Sequence, residues 1–276
     1  MQYKKTLLLL LRYILIYKQC NFLLVNGLIG ANVREAEINE FSSAVAIVKI
    51  VPDNSWPENN FKCSATLISY RDVLTCAHCV ENEEVDQVKV LVGMNNLRDG
   101  IEHLPLWWVT YDEWAEQNGV ASLFPVNDLC IIRLARNVSI NHATPSRIVR
   151  ISRDRLQGRR VHLATWGTVM TGRIPRMMQT VSLNIYSNQE CSNRYTNITH
   201  ELYRLPLNYL CTAATPFALI SPGDSGGGLY LDRNTIIAVT KSVSPSFNFY
   251  HQLSVNTHTF LYFYRDFIRL IVQHSI

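Results

Sequence analysis

Charge is scarce in this chain. Asp, Glu, Lys and Arg make up 17% of its 276 residues, below the usual quarter. Long apolar runs are missing too. No apolar run of about 18 or more residues is uninterrupted by charge, so no membrane-spanning helix is expected. The net charge of +4 is too mild to argue for a nucleic acid partner, and no basic motif interleaved with aromatics is present. Internal repeats and low-complexity segments are absent. Zinc-type spacing is absent as well. Cys76-Ala77-His78-Cys79 has no second ligand pair at a matching distance and no βαβ pattern beside it. No metal and no other cofactor is therefore expected. What remains is a chain that is 47% hydrophobic and long enough to bury a large core. All-β folds of about 200 to 250 residues often form one domain.

The most informative stretch present is Gly223-Asp224-Ser225-Gly226-Gly227. Glycines let a backbone turn sharply and bring two N–H groups near one point. Donors aimed at one point stabilise the oxyanion of an acyl-transfer intermediate. A serine in that setting is a candidate nucleophile, provided a base and an orienting group accompany it. The alternative is a glycine-rich hairpin turn. Upstream, Val73-Leu74-Thr75-Cys76-Ala77-His78-Cys79 ends an apolar run in a histidine between two cysteines. Between them, Asn127-Asp128-Leu129-Cys130-Ile131-Ile132-Arg133-Leu134 sets one acid before a strand-like run. Taken singly, His78 reads as a packed histidine and Asp128 as a turn residue at a strand entry. Three such strings in the order His, Asp, Ser argue against that reading.

At these three strings the chain resembles the chymotrypsin-like serine protease family: Thr75 to Cys79 for the histidine motif, Asn127 to Leu134 for the aspartate motif, Pro222 to Leu229 for the serine motif. Trp166-Gly167 and the Cys191 to Cys211 loop add to the resemblance, which covers about residues 28 to 276. The resemblance implies that Ser225 is the nucleophile and His78 the general base and acid. It implies that Asp128 holds the imidazole in one tautomer, and that the amides of Gly223 and Ser225 form the oxyanion hole. It implies polypeptide substrates, leaves room for a protein inhibitor, and goes with a monomer. The fold it implies is all-β: two six-stranded antiparallel barrels packed face to face, with a C-terminal helix. The N-terminal barrel would cover about 40–145, the C-terminal barrel about 160–258 and the closing helix about 260–274. Strand-like runs at Ala44 to Val51, Ala65 to Ser69, Val88 to Val92, Leu129 to Leu134, Val161 to Thr165, Met178 to Ile185, Gly228 to Leu231 and Ile236 to Thr240 fit that frame.

Residues 1–27 read as a signal peptide, with Lys4 and Lys5 before an apolar stretch from Thr6 to Leu11. Cleavage after Gly27 fits the small-residue rule, and cleavage nearer Cys20 is the alternative. A secreted, extracellular protein is expected, free of the membrane once the signal is removed. Of the seven cysteines, Cys20 leaves with the signal, and an even set remains for disulfides. The resemblance implies the pairs Cys63–Cys79 and Cys191–Cys211. Cys76 and Cys130 flank His78 and Asp128. If His78 and Asp128 touch, alternation along adjacent strands points both thiols the same way. A buried Cys76–Cys130 bridge is expected, the alternative being two free, packed thiols. Asn137-Val138-Ser139 and Asn197-Ile198-Thr199 are N-glycosylation sequons at Asn137 and Asn197. Arginines gathered between Arg147 and Arg160 read as a solvated linker, with an anionic polysaccharide contact as the sharper reading.

The chain also departs from the family pattern. Val161 and Leu231 stand where a paired cysteine is expected, and Ser221 replaces another at the wall of the substrate pocket. Leu219 falls at the position resembling the pocket base, where an acid would pair with a substrate Arg or Lys. Thr240-Lys241-Ser242-Val243 replaces the family's Ser-Trp-Gly strand, and Val243 in place of glycine narrows the entrance. Leu219, Ser221, Lys241 and Val243 thus predict a pocket for an apolar P1 residue. Asp224 resembles the acid that receives the freed amino terminus, but no Arg or Lys lies between Lys18 and Arg34 to mark a conventional activation cut. Strict alignment puts Gly30 at the new terminus. Leu28-Ile29-Gly30-Ala31 resembles the family's terminal sequence two residues early, so signal removal after Gly27 would itself release Leu28. The rival reading leaves the site beside Asp224 unfilled and the protein a weak or inactive homologue that binds or competes.

Overall fold

A computed structural model describes residues 28–30, 32–53, 55–122, 124–246 and 251–273. The expected signal peptide lies outside the described residues. Two short strands, β1 (Ile29–Gly30) and β2 (Arg34–Glu35), come first among the described residues. The N-terminal half then contributes β3 (Ala44–Lys49), β4 (Phe61–Leu67), β5 (Asp72–Thr75), β6 (Val88–Val92), β7 (Ile101–His103), β8 (Pro105–Thr110), helix α1 (Tyr111–Gln117) and β9 (Cys130–Leu134). These strands form one antiparallel sheet in the order β7-β6-β3-β4-β5-β9-β8, curved as a half-barrel.

The C-terminal half contributes β10 (Arg147–Ile148), a single turn α2 (Arg153–Leu156), β11 (Arg160–Thr165), β12 (Gln179–Tyr186), α3 (Asn188–Thr199), β13 (Tyr209–Ala213), β14 (Ala218–Leu219), β15 (Gly228–Asp232), β16 (Thr235–Ser244) and β17 (Val255–Phe260). Here β16-β15-β11-β12-β13-β17 closes on itself, because β17 also pairs with β16. The result is a six-stranded barrel without free edges. The two-barrel expectation therefore holds, with one half closed and the other open among the described residues. β10 joins β16 in parallel, the one departure from antiparallel pairing among the described strands.

Side-chain period explains the halves. In β12, Val181, Leu183 and Ile185 point inward while Ser182 and Asn184 face solvent, an alternation of period two. β3 is apolar from Ala44 to Val48 and buried throughout. Val161 is fully buried, and Leu231 packs against the same apolar cluster, so this pair occupies the space of the absent disulfide. The closing helix α4 spans Arg265–Gln273 and starts later than expected, because a 3-10 turn at Leu261–Phe263 precedes it. Phe267 of α4 packs on Tyr111 and Trp114 of α1, with ring centroids 5.6 and 5.4 Å apart. α4 thus packs against the N-terminal half. No described helix is long and apolar enough to cross a membrane. Among the clustered arginines, Arg153 is structural: it donates to Asn188 and to the Leu207 and Tyr209 carbonyls.

Candidate active site

Antiparallel pairing brings the histidine to the aspartate. β5 pairs with β9 in the register Asp72↔Arg133 to Thr75↔Cys130, so the end of β5 abuts the start of β9. His78 sits in a 3-10 turn, Ala77–Cys79, just beyond β5, and Asp128 lies just before β9. The His78 ring nitrogen Nδ1 is 2.8 Å from Asp128 Oδ2, and the His78 backbone N–H donates to Oδ1 at 3.1 Å. The carboxylate is thus held twice by one residue. Burial pushes the Asp128 carboxyl up, but the hydrogen bonds and charge of His78 outweigh it and hold it below its ordinary value. The Cys63–Cys79 disulfide ties the far end of the histidine turn to β4.

The same register overturns one expectation. Cys76 and Cys130 are both free and buried. Thr75, not Cys76, stands opposite Cys130, and a shift of one residue sends the side chain to the other face. The Cys76 thiol accordingly turns toward the C-terminal barrel and donates to the Thr240 carbonyl at 3.0 Å. Burial pushes this thiol well above its ordinary value, so it keeps its proton at neutral pH. The second family pair, Cys191–Cys211, is present and pins α3 to β13.

Ser225 lies in the turn between β14 and β15. Gly226 is required there: its φ is +85°, and an added Cβ would stand 2.2 Å from both the Ser64 carbonyl and Thr75 Oγ1. That close approach seats the serine turn on β4 and β5, beside the histidine turn. Ser64 fastens it. Its amide and its hydroxyl both donate to the Gly223 carbonyl, at 2.9 and 3.0 Å, while Ser64 Oγ accepts from Trp166 N. Asp224 N donates to Ser221 O, Gly226 N to Thr240 O and Gly227 N to Asp224 O. The amides of Gly223 and Ser225 donate to no group among the described residues. The Ser225 hydroxyl donates to the Lys241 carbonyl at 3.0 Å, and no hydrogen bond joins it to His78.

Asp224 is fully buried. It accepts from Gly167 N at 2.9 Å and from Ser221 N and Oγ at 2.7 and 3.1 Å. Burial lifts its carboxyl to about 6, against these bonds. The predicted pocket residues are dispersed. Leu219 is 1% exposed and paired with Ile29 of β1. Asn256 clamps the backbone on either side of it, through Ala218 O and Ile220 N. Ser221 is buried and its hydroxyl is spent on Thr168 O and Asp224. Val243 lines a separate depression of about 630 Å³ with Tyr195 and Tyr203. Only Lys241 faces the cleft beside His78 and Asp128, a cavity of about 750 Å³ whose other walls include Glu81, Trp108, Asp112, Glu113 and Val126. Its ammonium donates to Tyr209 Oη at 2.6 Å. Asn137 and Asn197 are both exposed. Cys76, His78 and Asp128 present ligand atoms within 4.8 Å of one another.

Sequence reasoning missed Ser64 and Asn256, whose types carry no motif and whose roles depend on distant chain segments.

Fold and site together define a double-barrel protein with a His–Asp pair and a glycine-bound serine turn at its seam. The sequence model of the family described as Trypsin matches residues 36–258, and the chain belongs to that family. It is 27% identical over 165 residues to chymotrypsin-2 of Vespa crabro, covering 59% of this chain and 69% of that protein. It is 26% identical over 188 residues to trypsin zeta of Drosophila melanogaster, covering 63% of this chain and 62% of that one. Against human kallikrein-11 it is 27% identical over 178 residues, covering 62% and 59%. The chain thus spans between about three fifths and seven tenths of the length of these relatives. The solved structure of mouse neuropsin, titled a serine protease, superposes with a TM-score of 0.68 at 18% identity, covering 87% of this chain and 98% of that one. That likeness supports the fold alone.

Proposed function

We propose that the protein is a secreted serine endopeptidase working through an acyl-enzyme. One observation carries the reading: the 2.8 Å His78–Asp128 contact stands beside a serine turn whose two amides have no acceptor among the described residues. In this reading rotation about χ1 moves the Ser225 hydroxyl from the Lys241 carbonyl to His78 Nε2. His78 takes its proton as Ser225 attacks the scissile carbonyl, and Asp128 stabilises the imidazolium. The amides of Gly223 and Ser225 receive the oxyanion. His78 then returns the proton to the leaving amine, and water repeats the sequence on the acyl-serine.

Leu219 offers no acid to a substrate cation, and it is enclosed between β1 and Asn256. An unpaired Arg or Lys there would be costly. Peptide esters with small apolar P1 residues should exceed their Arg counterparts in kcat/KM by about tenfold or more. Removal of residues 1–27 would free the Leu28 amine, largely cationic at neutral pH. Two features support its pairing with Asp224: Leu28 is already buried, at 1% exposure, and Asp224 has only neutral donors. N-terminal sequencing of the secreted protein should begin at Leu28; any other start rejects this route. Glycans on Asn137 and Asn197 belong to the same secreted reading.

An organophosphonate should label the processed protein one to one, and Ser225→Ala should abolish the label. Absence of label in the wild type would favour a homologue that binds or competes without cleaving. The hydroxyl held by Lys241 rather than His78 is the observation on that side.

A further inference from the structure

Cys76 is the chemical group at this seam that the proposed reaction leaves unused. Its Sγ, a ring nitrogen of His78 and a carboxylate oxygen of Asp128 lie within 4.8 Å of one another. The Thr240 carbonyl, 3.0 Å from Sγ, adds a fourth donor on the other barrel. Thiolate, imidazole and carboxylate are the ligand types that zinc takes, at roughly 2.0 to 2.3 Å from the ion. Tetrahedral ligands at those radii sit roughly 3.5 Å apart, so a contraction of about 1 Å brings Cys76, His78 and Asp128 to ligand spacing. A thiolate and the Asp128 carboxylate together neutralise a divalent charge. An approach exists: His78 is 42% exposed at its side chain and lines the cleft with Asp128. Glu81, Asp112 and Glu113 of that cleft draw cations toward it, opposed by Lys241.

We propose that Cys76, His78, Asp128 and the Thr240 carbonyl form an inhibitory site for a soft divalent cation of the zinc class. On binding, the Cys76 thiol gives its proton to solvent and Sγ bonds the metal. His78 gives up its Nδ1 hydrogen and carries one on Nε2 instead, with Nδ1 on the metal. An Nε2–H takes no proton from Ser225, so the nucleophile is not activated. Binding stands by itself, whereas inhibition rests on the protease reading. The site was hidden in the sequence because Asp128, just before β9, and Thr240, in β16, are distant from Cys76 along the chain.

Cobalt(II) chloride titrated into the reduced, processed wild-type protein should produce a thiolate-to-metal absorption in the near ultraviolet and the visible bands of a four-coordinate ion. Zinc should displace both. Cys76→Ala should lose the thiolate band, and affinity should fall by at least about tenfold. Cys76→Ser keeps the volume, guards against a folding defect, and should lose the same band. Zinc should slow phosphonate labelling of Ser225 in the wild type and leave both Cys76 variants unaffected. A wild type without the thiolate band, or a variant with unchanged cobalt affinity, overturns the site. If metal binds as expected but the metal-free wild type never labels, the protease reading fails and the binding site stands.

Discussion

At the scale of single residues, the site is set by close approach. Gly226 touches two strands through the absence of a side chain. Gly226→Ala must push the Ser64 carbonyl and Thr75 away and hold alanine at positive φ. We expect a loss of roughly 3 kcal/mol or more of stability in urea unfolding, with labelling of Ser225 lost beyond that expected from unfolding alone. Glycines around a serine were legible as a turn. Ser64, which bridges the Gly223 carbonyl and the Trp166 amide, was not. An isolated serine in an apolar strand carries no signal until its partners arrive from the other barrel.

At the scale of elements, β5 and β9 matter most, because their register delivers His78 and Asp128. That register is held by a buried ion pair: Arg133 Nε is 2.6 Å from Asp72 Oδ1, and the same guanidinium donates to the Ile271 carbonyl of α4 at 2.9 Å. Asp72 is fully buried. Arg133→Met leaves its charge with one remaining side-chain donor, Ser69. The variant should lose about 3 to 5 kcal/mol, with earlier amide exchange in α4 and β9. Strands with apolar periodicity, such as β6, β9, β11 and β12, were readable beforehand. β17 was not. Its Asn256, Thr257, His258 and Thr259 read as polar, yet all are buried, because strand pairing and side-chain bonds satisfy them: His258 with Thr212 and Thr240, Thr257 with Ser242, Asn256 with the backbone of Ala218 and Ile220, and Thr259 with the Asp128 carbonyl.

At the scale of the whole molecule, two buried groups give opposite responses to pH. Burial lowers His258 to about 3. The unfolded chain takes up its proton below about 6.5 and the folded chain does not, so stability falls as pH drops from about 6.5 toward 3, by up to roughly 5 kcal/mol. Asp224, lifted to about 6, is the reverse. The folded chain binds its proton first, so between about 4 and 6 stability falls as pH rises, on the order of 3 kcal/mol in all. In a chain retaining residues 1–27 the two slopes oppose in that window. If the Leu28 amine pairs with Asp224, the second slope disappears. Urea midpoints measured from pH 4 to 7 should therefore show steeper acid lability in the processed protein. Equal slopes before and after processing would leave Asp224 without its cation.

The sequence by itself determined the chemistry on offer: a histidine, an acid and a glycine-bound serine in a fixed order, embedded in strand-forming runs. Local strings suffice for that, since turns and strands follow from nearest-neighbour backbone preferences. Tertiary structure alone decided which groups meet. One residue of register turned Cys76 away from Cys130 toward the Thr240 carbonyl, pairing with β1 enclosed Leu219, and the Lys241 carbonyl claimed the Ser225 hydroxyl. Such outcomes depend on strand pairing and rotamers among residues far apart in the chain, where a shift of one position reverses the face a side chain occupies.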